Sequence, residues 1–218
     1  STESNMDKLL EVCNDYNIPL VEDAAESLGS TLNGQHAGTF GLVAALSFNG
    51  NKVITSGGGG MILTNDAELA KRAKHLTTTA KLQHSWEFVH DELGFNYRMP
   101  NINAALGLAQ LEMLPKILSG KRQVAERYYQ WCKQRQVDML RDGKGVESNG
   151  WLSAFVLQNK TERDTFLEKT NEAGIMTRPI WKPMHQLEMF KNCVQGDLSH
   201  TEWAADRVVN IPSSAVNL

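Results

Sequence analysis

The segment LVAALSF at residues 42–48, followed by NGN at 49–51, Lys52 and four glycines at 57–60, decides the fold. The apolar run predicts a buried strand, and the residues after it predict a loop at the carboxyl end of that strand. A lysine at the end of a buried strand is costly to desolvate unless its amine has a chemical use. Lys52 is therefore the first candidate for a catalytic residue.

A second apolar run, at residues 18–21, ends in EDAAE at 22–26 and predicts a neighbouring strand that carries Asp23. Open α/β sheets bind ligands at the carboxyl ends of their strands, so we expect Asp23 and Lys52 to share one site. Desolvation favours the neutral lysine that attacks a carbonyl, and a carboxylate can hold a protonated pyridine nitrogen. A pyridoxal phosphate site needs both groups, although Asp23 taken alone is more simply explained as a helix cap.

The hydrophobic pattern alternates between strand and helix, which predicts an α/β fold with a mixed, mostly parallel sheet. The predicted strands span residues 18–22, 42–48, 60–63, 151–157 and 175–178. The predicted helices span 6–16, 65–75 with a capping box at Asn65 and Glu68, 101–113, 115–134, 161–174 and 197–210. We expect a hairpin within 29–41, a long functional loop at 76–100 and a linker at 142–150. The domains would then be 1–140, the larger, and 141–218, a small α/β domain.

Composition excludes several classes of protein. The 218 residues carry a formal net charge of −3, with Lys and Arg scattered among acids, which gives no reason to expect nucleic acid or an anionic membrane as a partner. Three cysteines without CxxC or Cys/His spacing predict reduced thiols in a cytoplasmic protein that has no metal site. No apolar run approaches the length of a membrane span.

Four motifs in order give a resemblance to a known family: EDAAE at 22–26, SFNGNK at 47–52, GGGG at 57–60 and GFNYRM at 94–99. Together they resemble the signature series of the DegT/StrS nucleotide-sugar aminotransferases, which are pyridoxal phosphate enzymes of the aspartate aminotransferase fold, fold type I. The resemblance runs from Met6 to Ser214. It implies the remainder of a large cofactor-binding domain followed by the small C-terminal domain.

The resemblance implies a role for each matching residue. Lys52 matches the lysine that attaches the cofactor, Asp23 the acid facing the pyridine nitrogen, and Ser47 a hydroxyl on the cofactor phosphate. Glu26 stands where the family often has Gln or His, near the ring and its phenolic oxygen. Asn96 matches an asparagine that reaches the cofactor of a neighbouring subunit, which implies a homodimer with a shared site. Ser47 could instead bond within the sheet, and the glycines at 57–60 are more simply a turn.

Other polar and aromatic side chains are weaker candidates for substrate contacts. His84 and His90 lie in the long loop, where solvated residues are equally expected. Arg178, Trp181 and His185 surround two prolines and could line a pocket for a nucleotide diphosphate. Ordinary packing explains such side chains as well.

As the resemblance implies, the intact enzyme transfers an amine from glutamate to a keto-sugar nucleotide. The NGN before Lys52 most resembles enzymes that aminate carbon 4 of 4-keto-6-deoxy sugars, perhaps UDP-linked N-acetyl sugars, for surface polysaccharides such as lipopolysaccharide O-antigen. Family members also carry an N-terminal portion that binds the phosphate with a helix end, so this chain is expected to be a truncated enzyme. The alternative is a non-catalytic fragment that binds or regulates a sugar nucleotide.

Overall fold

A computed structural model describes residues 6–215 of the protein. Its helices are α1 (Met6–Asp15), α2 (Ala67–Thr77), α3 (Asn101–Arg135), α4 (Lys160–Glu172) and α5 (Ser199–Ala205). Its strands are β1 (Val21–Asp23), β2 (Thr31–Leu32), β3 (Gln35–His36), β4 (Val43–Ser47), β5 (Gly60–Leu63), β6 (Asp138–Met139), β7 (Val146–Glu147), β8 (Ser153–Val156), β9 (Arg178–Pro179) and β10 (Val208–Ile211). Within the described residues, no helix is long and apolar enough to cross a bilayer.

The first compact unit comprises the described residues up to Leu118 together with Asp142–Asn149. Its main sheet has the order β1-β4-β5, in which β4 is parallel to β1 and antiparallel to β5. β4 is the central strand, and its Ala44 and Leu46 are buried beside Phe48. The mixed sheet and the strand at residues 42–48 confirm the prediction from the apolar run.

A second small sheet in this unit has the order β3-β2-β7. The β2–β3 hairpin leaves one edge of β2 open, and β7 pairs with that edge so that Thr31 lies opposite Glu147. The prediction of a linker at 142–150 was therefore wrong. This segment contains β7, which pairs with the open edge of β2, more than a hundred positions earlier in the chain.

The second compact unit comprises Ser119–Arg141 and the chain from Gly150 onward. Its sheet has the order β6-β8-β10-β9, and its core is formed by Cys132, Phe155, Leu157, Val209 and Ile211. This unit thus combines helices with a sheet. The compact units divide the chain after Leu118, within α3, while the functional domain boundary near residue 140 stays a prediction.

Several predicted helix boundaries were wrong for local reasons. Asp66 caps α2 by accepting the Leu69 N–H at 2.9 Å, so Asn65 is not the capping residue. Asn159 caps α4 by accepting the Glu162 N–H at 3.0 Å, so this helix begins at Lys160, one residue before its predicted start. In both cases an Asp or Asn side chain reaches forward from extended backbone to a free N–H of the first turn.

Two helices also differ in extent from the prediction. α3 continues through Pro115, where two helices were predicted. Pro115 lacks the backbone N–H that a helix interior normally uses, which costs stability, yet the helix is continuous there. Ile117 is buried two residues later. The last helix ends at Ala205, and Val208–Ile211 forms β10 instead of continuing it. Val208 and Val209 are β-branched and buried between two neighbouring strands, which outweighs the helical spacing.

Candidate active site

The parallel pairing of β1 with β4 determines the geometry of the candidate site. Asp23 is the last residue of β1 and lies opposite Ala45 of β4. Lys52 lies in the loop that follows β4, where its N–H donates to the Asn49 carbonyl at 3.1 Å. Val53 and Ile54 are buried directly after it and anchor the loop. The structure therefore brings the loop of Lys52 and the end of β1 to the carboxyl edge of the same sheet.

The amine of Lys52 has a carboxylate partner from the β1 side. Its Nζ lies 3.0 Å from Oε1 of Glu26, and the lysine side chain is 13% exposed whereas that of Glu26 is 53% exposed. Asp23 is exposed, and its Oδ1 accepts the Ala25 N–H at 3.1 Å. This bond closes a local turn and caps no helix, since β1 is followed by β2 in the structure, so the helix-cap explanation for Asp23 was wrong. Its second carboxylate oxygen can still accept a further bond.

Ser47 and the four glycines complete the edge around the lysine loop. Ser47 is half-buried, and its Oγ accepts the Asn49 N–H at 3.3 Å, which leaves the hydroxyl able to donate. Gly57 and Gly59 have φ values of 81° and 91°, and a Cβ on Gly60 would overlap the Leu46 carbonyl oxygen. The glycines therefore serve as a turn into β5, as considered from the sequence, and they also let β5 approach β4 closely.

Two further polar residues, which sequence reasoning missed, support this edge. The Glu22 carboxylate accepts the N–H groups of Gly38, Phe40 and Gly41 at 2.6, 2.7 and 2.6 Å. Asn149 is 3% exposed, and its side-chain amide donates to the carbonyls of Glu26 at 2.7 Å and Leu28 at 3.0 Å. The position of Glu22, an acid at the end of an apolar strand run, could have indicated its role. No local pattern indicates the role of Asn149.

Residues 78–100 contain isolated bridges but no helix or named strand, which confirms the predicted loop. Asn96 is exposed, and its backbone pairs with that of Thr78 in an isolated antiparallel bridge. His90 Nδ1 lies 2.6 Å from the Thr79 carbonyl, and His84 Nδ1 accepts the Glu87 N–H at 3.0 Å. Both histidines thus have one ring nitrogen in local contacts, and their substrate roles, like that of Asn96, stay predictions.

The remaining substrate candidates lie in the second compact unit. An Arg178 guanidinium nitrogen lies 3.3 Å from the Met176 sulfur, and His185 Nε2 lies 3.2 Å from Glu202. Trp181 stacks on Trp151 with ring centroids 6.4 Å apart. These contacts explain the side chains as local packing, and a nucleotide site there stays a prediction.

Among the described residues, one group has the chemistry of metal ligands. The ligand atoms of His75, Asp91 and Glu92 all lie within 4.8 Å of one another. Arg72 donates to both carboxylate oxygens of Glu92, and this hydrogen bonding lowers the pKa of Glu92. The hydrogen bond from His75 likewise lowers the pKa of Asp91. A guanidinium thus already balances the acids, and the group fastens residues 91–92 to α2.

Lys121, like Lys52, is largely shielded from solvent. Lys121 is 9% exposed in the second unit, and its Nζ donates to the Ser213 carbonyl at 3.0 Å. Burial lowers the pKa of Lys121, which favours a neutral amine. Among the described residues no carboxylate forms an ion pair with Lys121, whereas Lys52 pairs with Glu26.

Comparison with known proteins identifies the class of protein that this fold and site define. The family model described as the DegT/DnrJ/EryC1/StrS aminotransferase family matches residues 2–216. The chain belongs to this family, and the recognition made from the four motifs is confirmed.

Individual relatives agree with the family. GDP-perosamine synthase of Escherichia coli O157:H7 is 35% identical over 214 residues, which cover 96% of this chain and 57% of that protein. The aminotransferase TlmJ from Streptoalloteichus hindustanus is 28% identical with a TM-score of 0.88, over 96% of this chain and 57% of TlmJ. Spr1654 from Streptococcus pneumoniae, solved in its PLP form, shares the fold at 24% identity and a TM-score of 0.86, over 99% of this chain and 62% of Spr1654. The chain thus spans little more than half the length of these proteins.

Pyridoxal 5'-phosphate is the cofactor of this family, and the donor set at the sheet edge fits its chemistry. The cofactor offers an aldehyde, a pyridine nitrogen and a phosphate, which call for an amine, an acid and hydrogen-bond donors. Lys52, Asp23 and the Ser47 hydroxyl supply one of each from the ends of two adjacent strands. The side chains that the structure gathers here are therefore compatible with the group.

Proposed function

We propose that the chain is the lysine-bearing part of an aminotransferase that moves the amino group of glutamate to a keto-sugar nucleotide with pyridoxal 5'-phosphate. The observation that carries this proposal is the parallel pairing of β1 with β4, from whose carboxyl ends Asp23 and the Lys52 loop extend. An amine and an acid on adjacent strand ends match what the cofactor requires. As part of the same proposal, the enzyme works in the cytoplasm and its product supplies polysaccharide synthesis.

Each residue has a distinct task in this proposal. When bound, the cofactor supplies a ring that takes up electrons from the reacting carbon. Lys52 would attach the cofactor through its amine, and the same amine, once released, would take the proton from the alpha carbon of glutamate. Asp23 would hold the proton on the pyridine nitrogen, and the Ser47 hydroxyl would donate to a phosphate oxygen. Glu26 lies beside the amine, at the ring side of the site.

The test is the release of 2-oxoglutarate when the chain, saturated with cofactor, is mixed with glutamate. The expected result is up to one equivalent of 2-oxoglutarate per chain, with none from Lys52→Ala. Lys121→Met is the matched control, because it removes the other shielded lysine and leaves the sheet edge intact. Cofactor binding with no 2-oxoglutarate from the unaltered chain would favour the alternative, a binding or regulatory fragment.

The nucleotide is a separate part of the proposal. The motif before Lys52 favours carbon 4 of a 4-keto-6-deoxy sugar, with a UDP-linked N-acetyl sugar as the interpretation from sequence. Relatives named as GDP-perosamine synthases are 34–35% identical, whereas the transaminases named for UDP-linked altrosamine are 26–27% identical, which supports a GDP-linked sugar instead. Competition between the GDP- and UDP-linked keto sugars for ¹⁵N from labelled glutamate, read by mass spectrometry, decides between them.

A further inference from the structure

We propose that Glu26 is a positioning residue for the Lys52 amine, and that Asn149 fixes the loop from which Glu26 acts. The proposal rests on the proposed role of Lys52 as the residue that attaches the cofactor. It assigns Glu26 a partner other than the ring, and it assigns Asn149 a task in the site.

The contact between Glu26 and Lys52 is the first observation. Oε1 of Glu26 lies 3.0 Å from Nζ of Lys52, at the tip of a side chain that is only 13% exposed. A lysine side chain has four rotatable bonds, and one charge-assisted hydrogen bond at its tip selects few of its rotamers. Glu26 is therefore placed to direct where the amine points.

The fixing of the Glu26 loop is the second observation. Asn149 lies 123 positions from Glu26 in the chain, yet its amide donates to the Glu26 carbonyl at 2.7 Å. The same amide donates to the Leu28 carbonyl at 3.0 Å, and the Asn149 N–H donates to Ser30 Oγ at 3.0 Å. Three bonds from one buried residue thus hold residues 26–30, next to the pairing of β7 with β2. Because these bonds hold the backbone at Glu26, its carboxylate is kept within reach of the amine.

The test measures the reactivity of the Lys52 amine without any cofactor. Trace acetylation with acetic anhydride at a fixed alkaline pH, followed by peptide mass spectrometry, gives the labelling of Lys52 relative to the exposed Lys71 in the same chain. In Glu26→Gln the charged partner that holds the amine in place is removed, so relative labelling of Lys52 should rise about threefold, the size expected for the loss of a partly exposed ion pair. Glu188→Gln is the matched control, because it removes a surface lysine–glutamate pair with Lys191 and should leave Lys52 unchanged.

The role of Asn149 is tested by coupling. Asn149→Ala should raise Lys52 labelling in the same direction, and adding it to Glu26→Gln should cause no further increase, because both changes act through one carboxylate. If circular dichroism shows that Asn149→Ala does not fold, Ser30→Ala takes its place, since it removes one of the three bonds.

The outcomes separate this proposal from the proposed function. Unchanged Lys52 labelling in Glu26→Gln would overturn the positioning role, and additive effects of the two substitutions would overturn the link through Asn149. Reductive trapping of the cofactor on Lys52 in the unaltered chain tests the proposed function independently. Its failure beside a threefold labelling response would remove the enzyme proposal and keep the Asn149–Glu26–Lys52 arrangement.

Discussion

At the scale of single residues, Glu22 shows how hydrogen bonds within the protein hold the edge of the sheet in place. Its carboxylate accepts three backbone N–H groups from residues 38–41, all within 2.7 Å. Carboxylate oxygens are the only groups on this side chain that could satisfy three donors at once. Glu22 therefore ties the segment before β4 to the strand that carries Asp23.

Replacing Glu22 by Gln tests this assignment. The amide keeps one acceptor oxygen and turns an N–H₂ group toward backbone donors, so we expect a loss of about 1–3 kcal/mol in the free energy of unfolding. Urea denaturation measures it. Glu11→Gln on the exposed face of α1 is the control and should change stability little. Equal stability of the two variants would contradict a structural role for Glu22.

Lys121 makes the stability of the protein depend on pH in a defined direction. Burial lowers its pKa in the folded state below the value in the unfolded chain. As pH rises between these two values the folded state loses its proton first, so the unfolded state binds more protons and stability rises with pH. Lys121→Met should remove this contribution, so the unfolding free energy of the variant should rise less with pH than that of the unaltered chain as pH approaches the ordinary lysine pKa of about 10.4.

The control for this rise with pH is Lys116→Met, which removes an exposed lysine from the same helix. It should keep the slope of the unaltered chain. If the unfolding free energy of Lys121→Met rises with pH as steeply as that of the unaltered chain, other groups cause the pH dependence of stability.

At the scale of elements, the turn into β5 depends on the absence of side chains at particular positions. Gly60 pairs with Ser47, and a Cβ there would overlap the Leu46 carbonyl oxygen. Gly58 has open space around it and no positive φ. The same substitution at the two positions should therefore have different effects.

Gly60→Ala is expected to destabilise the protein by about 2 kcal/mol or more, because β5 must move away from β4. Gly58→Ala should change stability by less than about 0.5 kcal/mol. Thermal unfolding of both variants measures the difference. Similar melting temperatures would show that β5 does not need its close approach to the strand beside Lys52.

Elements that local pattern defines could be predicted, and those that distant partners define could not. The run at 42–48 became β4 and the periodic stripe from Met6 became α1, because each signal lies within the element. Val208–Ile211 became a strand only because β8 and β9 lie on either side of it. The site follows the same rule. The sequence around Lys52 and Asp23 predicts their chemistry, whereas the contact of Asn149 with Glu26 depends on the pairing of β7 with β2.

At the scale of the whole molecule, a homodimer, as the resemblance in sequence implies, would place Asn96 of one subunit at the cofactor of the other. Lys52→Ala and Asn96→Ala chains would each lack one part of every site. Refolded together, they should restore about a quarter of the sites, since a mixed dimer contains one site with both residues intact. Reductive trapping of the cofactor after mixing counts these sites.

A chain carrying both substitutions is the control partner for the Asn96→Ala chain, and that mixture should trap no more cofactor than Asn96→Ala alone, because neither chain supplies Asn96. Asn96→Ala that traps as well as the unaltered chain, or mixing that restores nothing, would contradict a site shared between subunits.

The central claim is that Lys52 is the amine that attaches pyridoxal 5'-phosphate. The most direct measurement is borohydride reduction of the chain with the cofactor, followed by peptide mass spectrometry. We expect one cofactor-sized mass increase on the peptide that contains Lys52, and its loss in Lys52→Ala. An adduct on Lys121, the lysine whose pKa is lowered by burial, with none on Lys52 would contradict the account.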